Sequence, residues 1–283
     1  MIDLLRKRLD SYVAADARQE EQALKEILQE VALYGLWRAG FFDVAAFQGG
    51  TSLRLLYGLR RFSEDLDFIL READPGFDWK RYFAVMVDVL AELGVRCELV
   101  DRGKMDRAVR QAMLKDDSIG RQLDLSFYRG DRGRKLKIKL EVDTCPPGGS
   151  RFDYRYLDFP LDFEVCLQDM PSNFALKVHA LLCRPYTKGR DWFDFAWYVA
   201  QGVSPNLPHL GAALDQYGPW QRKAIAVDKV WLETALLERI QSIDWPAAAK
   251  DVEPFLGGPE RAGLTLWSER FFAAKVERLV LGL

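Results

Sequence analysis

A pair of glycines interrupts an apolar stretch of the chain, and this break constrains the local fold more than any other feature. Residues 41–48 (FFDVAAFQ) predict a short buried strand, which Gly49-Gly50 ends. Thr51 or Ser52 can then cap a helix, because a hydroxyl oxygen accepts a hydrogen bond from an N–H group of the first turn. The later run SEDLDFIL predicts the next strand. We therefore expect a strand, a tight turn, a helix and a second strand in this order.

Two aspartates, Asp65 and Asp67, flank a single leucine in the second of these strands. Residues i and i+2 of a strand share a face, so both carboxylates are expected on one side while Leu66 faces the core. Two neighbouring carboxylates repel each other unless a cation lies between them, and Mg²⁺ prefers carboxylate oxygens completed by water and phosphate. On its own, such a pair is more often a set of solvated charges at a sheet edge.

The glycine turn suits a phosphate. Gly49 and Gly50 let backbone N–H groups approach a ligand without a Cβ in the way, and the N-terminus of the following helix favours an anion. Neither G-x-G-x-x-G nor G-K-[ST] is present here, so the turn is neither a dinucleotide fingerprint nor a P-loop. An isolated glycine pair is most often a plain tight turn.

Together, the turn and the aspartate pair supply the two parts that phosphoryl or nucleotidyl transfer requires. Two metal ions about 4 Å apart stabilise both the attacking and the leaving oxygen of an in-line displacement. Such a site usually needs a third carboxylate. Glu141, on the polar face of a later strand, is the candidate, and Asp143 on the same face is the alternative.

Two predicted helices and a hairpin complete the first half of the chain. Residues 19–38 and 78–94 carry apolar residues at helical spacing. Residues 134–143 alternate, with apolar Ile138, Leu140 and Val142 on one face. The alternating run RQLDLSFY and the turn residues RGDRG precede them, which together predict a hairpin.

The second half of the chain is predicted to be helical. The run CPPGGS ends the strand-rich part, and from about residue 171 the apolar spacing is that of helices. This order predicts an α+β fold followed by a helical bundle. We place the two domains at residues 1–165 and 166–283.

Composition excludes several classes of protein. The chain has 283 residues, of which 49% are apolar and 29% are charged, a composition typical of soluble globular proteins. Its formal net charge of −2 argues against a strongly basic protein that binds polyanions over its whole surface. No apolar run approaches the roughly 18 residues that span a bilayer, and the first residues lack the apolar core of a secretory signal. Four scattered cysteines predict reduced thiols in a cytoplasmic protein, and two isolated histidines predict no zinc site.

The glycine turn and the aspartates also resemble a known motif. The pattern matches the first motif of the AbiEii/AbiGii-type nucleotidyltransferase toxins, which belong to the DNA-polymerase-β-like nucleotidyltransferase superfamily. The residues that carry the resemblance are Gly49, Gly50, Thr51, Leu53, Tyr57, Arg61, Ser63, Asp65, Asp67 and Phe68. The resemblance implies a small mixed-sheet nucleotidyltransferase core flanked by helices, with Asp65 and Asp67 as metal ligands. It also implies that the turn, Ser63 and Arg61 help to bind a nucleotide, although Arg61 could instead pair with carboxylates.

A second stretch, ALKVHALLCRPYTKGRDWFDFAWYV, is similar to the family's later motifs. Lys177 occupies the place of a lysine in an apolar helix, and Arg190, Asp191 and Asp194 occupy those of K-x-R-D-x-x-D. The resemblance implies that Lys177 contacts the triphosphate and that Asp191, with Asp194 as the alternative, belongs to the site. A lysine on such a helix could also extend to solvent, and the aspartates could stabilise the helix N-terminus or form salt bridges.

The predicted hairpin is basic, and this bears on the acceptor. Between residues 129 and 139 the only acidic residue is Asp131, and the basic residues are Arg129, Arg132, Arg134, Lys135, Lys137 and Lys139. Charge runs are usually solvated faces, but beside a transfer site they could steer an RNA backbone in a salt-dependent manner. The aromatic residues of the second half are expected in the core rather than in base stacking.

We therefore expect a Mg²⁺-dependent (or Mn²⁺-dependent) nucleotidyltransferase that takes an NTP, releases pyrophosphate and acts as a toxin. The resemblance implies the 3′ end of tRNA as acceptor, so that translation is blocked, and an antitoxin encoded alongside. Glu141 or a neighbouring carboxylate would help to deprotonate the attacking hydroxyl. The alternatives are transfer to a protein or small-molecule acceptor, and a module that binds a nucleotide without transferring it.

Overall fold

A computed structural model of the chain describes residues 2–102, 108–116, 123 and 136–283. These residues form two compact units that are each discontinuous in sequence. The first unit consists of Met1–Ser52, Phe62–Pro146 and Asp153–Leu167, and the second of Leu53–Arg61, Pro147–Phe152 and Gln168–Leu283. The sequence predicted two contiguous domains, and its boundary at residues 165–166 stays a prediction.

The first unit is built on a mixed seven-stranded sheet. Its strands are Ala45–Gln48 (β1), Leu66–Leu70 (β2), Cys97–Asp101 (β3), Val109–Asp116 (β4), Leu136–Asp143 (β5), Phe152–Leu157 (β6) and Phe163–Gln168 (β7). Their order across the sheet is β3-β4-β5-β2-β1-β7-β6. Strand β1 is antiparallel to β2 and parallel to β7, and β2 is parallel to β5, which is antiparallel to β4. The α+β class with a small mixed sheet is thereby confirmed.

Helices cover the apolar face of this sheet. They are Ala17–Arg38 (α2) and Lys80–Glu92 (α4). Helix Ile2–Asp10 (α1) packs on α2, and Gly49–Tyr57 (α3) follows β1 directly. Helix α2 packs on β5, and α4 packs on β3. Burial alternates along β5, where Ile138, Leu140 and Val142 are completely buried and the residues between them are partly or fully exposed. The faces predicted for this strand are confirmed.

Four strands depart from the sequence-based prediction. Strand β1 begins only at Ala45, because Phe41–Asp43, which were predicted to belong to it, form a 3₁₀ helix. The strand-rich part does not end at CPPGGS, because β6 and β7 follow it, and β4 was not predicted. Strand β6 lies at the sheet edge with most side chains exposed, and five of the six residues of β7 are buried, so neither alternates clearly. Apart from Leu123, the predicted partner strand RQLDLSFY and the turn RGDRG lie outside the described residues.

The second unit is helical, as predicted. Its helices are Met170–Cys183 (α5), Gly189–Ala200 (α6), Leu207–Gln216 (α7), Lys229–Gln241 (α8), Trp245–Val252 (α9), Gly258–Gly263 (α10) and Glu269–Leu281 (α11). Five of them begin at a residue whose side chain accepts a hydrogen bond from a backbone N–H group of the first turn. These capping residues are Asp169, Asn206, Asp228, Asp244 and Ser268.

Aromatic side chains fill the core of the second unit. The rings of Phe174 and Tyr198 stack with their centroids 4.4 Å apart, and those of Trp245 and Phe272 with centroids 4.2 Å apart. Trp192 is 1% exposed. The expectation that the aromatics of the second half form the core is confirmed for these residues.

We expect Ile138→Ala to lower the free energy of unfolding by about 2–5 kcal/mol, because it leaves a cavity in the sheet core. Lys137→Ala, at the neighbouring exposed position of β5, should change it by less than about 0.5 kcal/mol. Urea unfolding monitored by tryptophan fluorescence measures both values. Equal effects of the two substitutions would contradict the assigned faces of β5.

Candidate active site

The glycine turn lies directly against one of the two aspartates. Gly49 directly follows the last residue of β1. Its backbone φ is +75°, an angle that residues other than glycine rarely adopt. A Cβ added at Gly49 would lie 2.7 Å from Oδ2 of Asp67. The pairing of β1 with β2 explains this contact, because it places Gln48 opposite Asp67. Glycine is therefore required here both by the backbone angle and by the neighbouring carboxylate.

The two hydroxyl groups of the turn hold the backbone in place. Thr51 Oγ1 donates a hydrogen bond of 2.5 Å to the carbonyl oxygen of Asp65, and Ser52 Oγ donates one of 2.8 Å to that of Gly49. Both side chains are buried. A phosphate bound at this turn would therefore rely on backbone N–H groups in the first turn of α3, the donors that helix N-termini offer to anions.

The two aspartates lie at the start of β2. Asp67 is the second residue of this strand and Asp65 immediately precedes it, while Leu66 between them is completely buried. Both aspartates are partly exposed. The hydrogen bond from Thr51 to the backbone of Asp65 ties the glycine turn to this pair as well. The carbonyl of Ser63, farther before the strand, accepts a hydrogen bond of 3.1 Å from Gln29.

Of the two candidates for a third carboxylate, Glu141 lies beside the aspartates. The parallel pairing of β2 with β5 places Asp67 opposite Glu141, whereas Asp143 is opposite Ile69. Asp143 accepts a hydrogen bond from the N–H of Cys145, and burial raises the pKa of its carboxyl group.

Both oxygens of Glu141 already have partners. Lys139 Nζ lies 2.7 Å from Oε2, and Gln111 Nε2 donates a hydrogen bond of 2.6 Å to Oε1. Burial lowers the pKa of Lys139, but the hydrogen bond to Glu141 and the negative charges of Glu141, Asp65 and Asp67 outweigh it, so the pKa is raised. The ammonium group of Lys139 thus lies in the field of all three carboxylates.

The donor set fits a hard divalent cation through Asp65 and Asp67. Carboxylate oxygens are what Mg²⁺ prefers, and it completes its shell with water and phosphate, so two protein ligands suffice. Among the residues that the structure describes, no group of three His, Cys, Asp or Glu side chains is close enough together to hold a metal ion. Lys139 and Gln111 occupy both oxygens of Glu141, and its role as a third metal ligand stays a prediction.

The second unit contains a buried network of opposite charges. Lys177 of α5 lies 2.8 Å from Asp191 and 2.9 Å from Asp194, both on α6. Arg61 Nε and Nη2 donate to the two oxygens of Asp194 at 2.6 and 2.7 Å. Arg184, which the sequence analysis did not single out, donates to Asp191. The network therefore joins Arg61, Lys177, Asp191 and Asp194, four residues predicted for the site.

The cations keep both aspartates ionised. Burial alone would raise the pKa of Asp191, but the charges of Lys177, Arg184 and Lys188 lower it to about 2. The pKa of Asp194 is lowered from its usual value in the same way, by Arg61 and Lys177 against the effect of burial. Conversely, the two carboxylates raise the pKa of Lys177 despite its burial.

These contacts distinguish the two aspartates that the sequence left as alternatives. Asp194 is completely buried, and both of its oxygens bond to Arg61. Lys177 does not extend to solvent, since its side chain is 12% exposed.

Arg190 places its guanidinium 4.2 Å from the ring centroid of Phe255. A signal for Arg184 was present in the sequence, because it lies seven residues after Lys177 and so two turns farther along the same helical face.

The family of the chain follows from a match over most of its length. The model of a family described as nucleotidyl transferase AbiEii toxin, type IV toxin–antitoxin system, matches residues 31–268. This range includes the glycine turn, both aspartates and the charge network. The chain belongs to the AbiEii family. Membership makes it a nucleotidyltransferase-family toxin of a type IV system and implies an antitoxin partner.

Two solved structures resemble this AbiEii-family chain weakly. One is a proposed nucleotidyltransferase from H. pylori, and the other is JHP933 from Helicobacter pylori. Each is 15% identical with a TM-score of 0.47, over 90% of this chain and over 92% and 89% of the solved chains. Likeness of this size bears on neither activity nor partners. A search of curated proteins found no match.

Across the described part of the AbiEii-family chain, no helix is both long enough and apolar enough to cross a membrane.

We expect Gly49→Ala to be more destabilising than Gly58→Ala, although both glycines have nearly the same φ, +75° and +76°. A Cβ at Gly58 meets nothing within 4 Å, so its substitution costs only the backbone strain of about 1–2 kcal/mol. At Gly49 the clash with Asp67 adds about 1–3 kcal/mol. Urea unfolding of both variants measures the difference.

A double substitution tests the cause of this difference. Combining Gly49→Ala with Asp67→Ala should remove most of the excess, because the carboxylate that a Cβ at Gly49 would meet is gone. An unchanged excess in the double variant would show that the carboxylate of Asp67 is not the obstacle.

We expect Asp194→Asn to lower the free energy of unfolding by about 3–5 kcal/mol at neutral pH, because it removes the buried carboxylate that Arg61 and Lys177 share and leaves Lys177 with Asp191 alone. The lowered pKa of Asp194 means that its contribution is present above the unfolded pKa of about 4 and is lost as the pH falls through the folded value. The difference between wild type and variant should therefore shrink below about pH 4.

The control for this substitution is Glu260→Gln. It removes the charge of a pair with exposed Arg60, 3.4 Å apart in the same unit, and should cost less than about 1 kcal/mol. Urea titrations at several pH values measure both variants. A cost for Asp194→Asn as small as that of the control would show that the network contributes little to stability.

Proposed function

We propose that this protein is a Mg²⁺-dependent nucleotidyltransferase that transfers a nucleoside monophosphate from an NTP to a hydroxyl acceptor and releases pyrophosphate. The observation that carries the proposal is the contact between the glycine turn and Asp67, where a Cβ would lie 2.7 Å from the carboxylate. It places a turn suited to a triphosphate against a carboxylate suited to a metal ion. A plain tight turn or a pair of solvated edge charges has no need of this proximity.

In the proposed mechanism Asp65 and Asp67 hold Mg²⁺, with Mn²⁺ as an alternative. A bound divalent cation would neutralise the charge that develops on the phosphate oxygens. The first turn of α3, from Gly49 and Gly50 onward, would hold the phosphates through backbone N–H groups. Lys177 would contact the triphosphate, and Asp191 would keep this lysine charged and oriented, since the two side chains are 2.8 Å apart.

Glu141 is assigned the deprotonation of the attacking hydroxyl. It lies opposite Asp67 across the pairing of β2 with β5, which suits a base next to the reacting phosphate. Since Lys139 and Gln111 hold both of its oxygens, Glu141 would act only after at least one of these contacts is released.

The proposed acceptor is the 3′ end of a tRNA, whose modification would block translation. This step rests on the resemblance to related toxins and on the basic character of residues 129–139. Of those cations, Lys137 and Lys139 are within the described residues, and Lys137 is exposed on β5. A protein or small-molecule hydroxyl is the alternative acceptor, which the net charge of −2 favours over RNA.

A specific observation keeps one further candidate, a module that binds a nucleotide without transferring it. Glu141 is occupied by Lys139 and Gln111, and within the described ranges no three acidic, His or Cys side chains form a metal-holding group. A binding module would need no base in this position. The aspartate pair still favours transfer, because a module that only binds a nucleotide has no need of two neighbouring carboxylates.

The test is transfer of label from each of four α-³²P-labelled NTPs to total RNA, with and without Mg²⁺. Asp65→Asn and Asp67→Asn should each lower the rate at least about a hundredfold, because a metal ion supplies several kcal/mol of charge stabilisation. Glu98→Gln, which changes an exposed carboxylate of β3, should leave the rate unchanged.

The destination of the label separates the candidates. Label on tRNA supports the proposal, and label on protein or on a small molecule supports the alternative acceptors. Tight NTP binding with no transferred label would favour the binding module. Transfer that persists in both aspartate variants would overturn the proposed metal site.

A further inference from the structure

The loop between α5 and α6 combines an exposed aromatic ring with cations. It consists of residues 184–188 (RPYTK) and is called the 184–188 loop below. Arg184 is the C-cap residue of α5, and Lys188 is the N-cap residue of α6. Neither these residues nor Tyr186 have a part in the mechanism above.

Cations outnumber carboxylates around this loop. The buried network already pairs Arg61, Lys177 and Arg184 with two aspartates. Lys188 is a fourth cation, and across the described residues it has no ion pair of its own. Asp251, which accepts a hydrogen bond from the N–H of Gly189 at the end of the loop, adds a third carboxylate. The four cationic side chains still outnumber these three carboxylates, which leaves an excess of positive charge next to the loop.

The electrostatic environment of Lys188 reflects this excess. Burial lowers the pKa of Lys188, and the carboxylate of Asp191 opposes the shift. The positive charges of Arg190, Lys177 and Arg184 lower the pKa further. A bound anion would relieve this repulsion, because it would supply the counter-charge that Lys188 lacks.

Tyr186 presents an aromatic face to solvent in the middle of the loop. Its side chain is 62% exposed, and the guanidinium carbon of Arg184 lies 5.3 Å from the centroid of its ring. A single exposed aromatic residue is ordinary on a protein surface. A nucleobase, however, stacks readily on such a face, and a cation on the same ring strengthens the contact.

Both ends of the loop are held in place by the second unit. Arg239 donates hydrogen bonds to the carbonyl oxygens of Leu181 and Arg184 at 3.0 and 3.1 Å. The N–H of Gly189 donates to Asp251 at 2.8 Å, and a Cβ at Gly189 would lie 1.9 Å from the carbonyl oxygen of Ala248. Since both ends are fixed, binding a ligand would cost the loop little ordering entropy.

We propose that the 184–188 loop binds a nucleotide, with Tyr186 stacking on the base and Lys188 and Arg184 contacting a phosphate. This deepens the proposed function and rests on it for the source of the nucleotide. The ligand is either the NTP or the terminal nucleotide of a single-stranded RNA, because both present a base next to a phosphate. The charge excess alone would suit any phosphate, so Tyr186 is the residue that makes the site specific for nucleotides.

The experiment measures binding rather than transfer, on the full-length protein. The probes are the α,β-methylene analogues of the four NTPs, inorganic triphosphate, and a short fluorescein-labelled single-stranded RNA. Tyr186→Ala should weaken binding of the analogues, the RNA or both by about tenfold, because base stacking is lost. It should leave the affinity for inorganic triphosphate unchanged, and Tyr186→Phe should bind like the wild type.

Lys188→Met should weaken binding of the analogues and of inorganic triphosphate together, because it removes a phosphate contact. Matched controls are Tyr217→Ala, another exposed tyrosine of the second unit, and Lys250→Met, an exposed lysine of α9. Neither control should change any affinity, and thermal melting should show every variant folded.

The probes also identify the source of the nucleotide. Weaker binding of the analogues assigns the loop to the NTP, and weaker binding of the RNA assigns it to the acceptor strand. Tyr186→Ala without effect on either, or with an equal loss for inorganic triphosphate, would overturn the proposal. Binding that depends on Tyr186 in a protein that transfers no label would leave this site standing and refute only the proposed reaction.

Discussion

The close approach of the glycine turn to Asp67 is the constraint on which the rest of the candidate site depends. The backbone of Gly49 leaves no room for a Cβ, because Asp67 Oδ2 occupies the space where one would lie. Two adjacent antiparallel strands and the turn that starts α3 produce this contact, and the hydroxyl of Thr51 fixes the second aspartate to the same turn. The geometry brings carboxylates and helix N–H groups together, which is the combination that a metal-bound triphosphate requires.

The charge network of the second unit keeps Lys177 positively charged although this lysine is nearly buried. Asp191 and Asp194 neutralise Lys177 and raise its pKa, while Arg61 neutralises Asp194. Each of these charges would be costly to bury alone. The result is a nearly buried lysine with a defined position and a positive charge.

Glu141 lies where the sequence predicted a third carboxylate, but its contacts leave neither oxygen free to accept a proton. Its strand pairing puts it beside Asp67, as a base or a third ligand would be. Lys139, two residues away on the same face, and Gln111 of the neighbouring strand hold both of its oxygens. Lys139 thus supplies a positive charge to all three carboxylates, Glu141, Asp65 and Asp67.

Sequence alone determined the features that depend on neighbouring residues. The strand, turn, helix and strand around Gly49, the faces of β5 and the helices of the second half follow from backbone preferences and from the periodicity of apolar residues, which act over a few positions.

The tertiary structure decided the features that depend on which distant segments meet. Strand β6 lies exposed at the sheet edge and β7 is largely buried, so neither shows the alternation by which a strand is recognised. Arg61 and Asp194 are 133 residues apart in sequence, and no local pattern indicates that they pair. Periodicity shows which side of an element is buried but not which element covers it. The partners of Arg61, Lys177 and Glu141 therefore became known only from the folded chain.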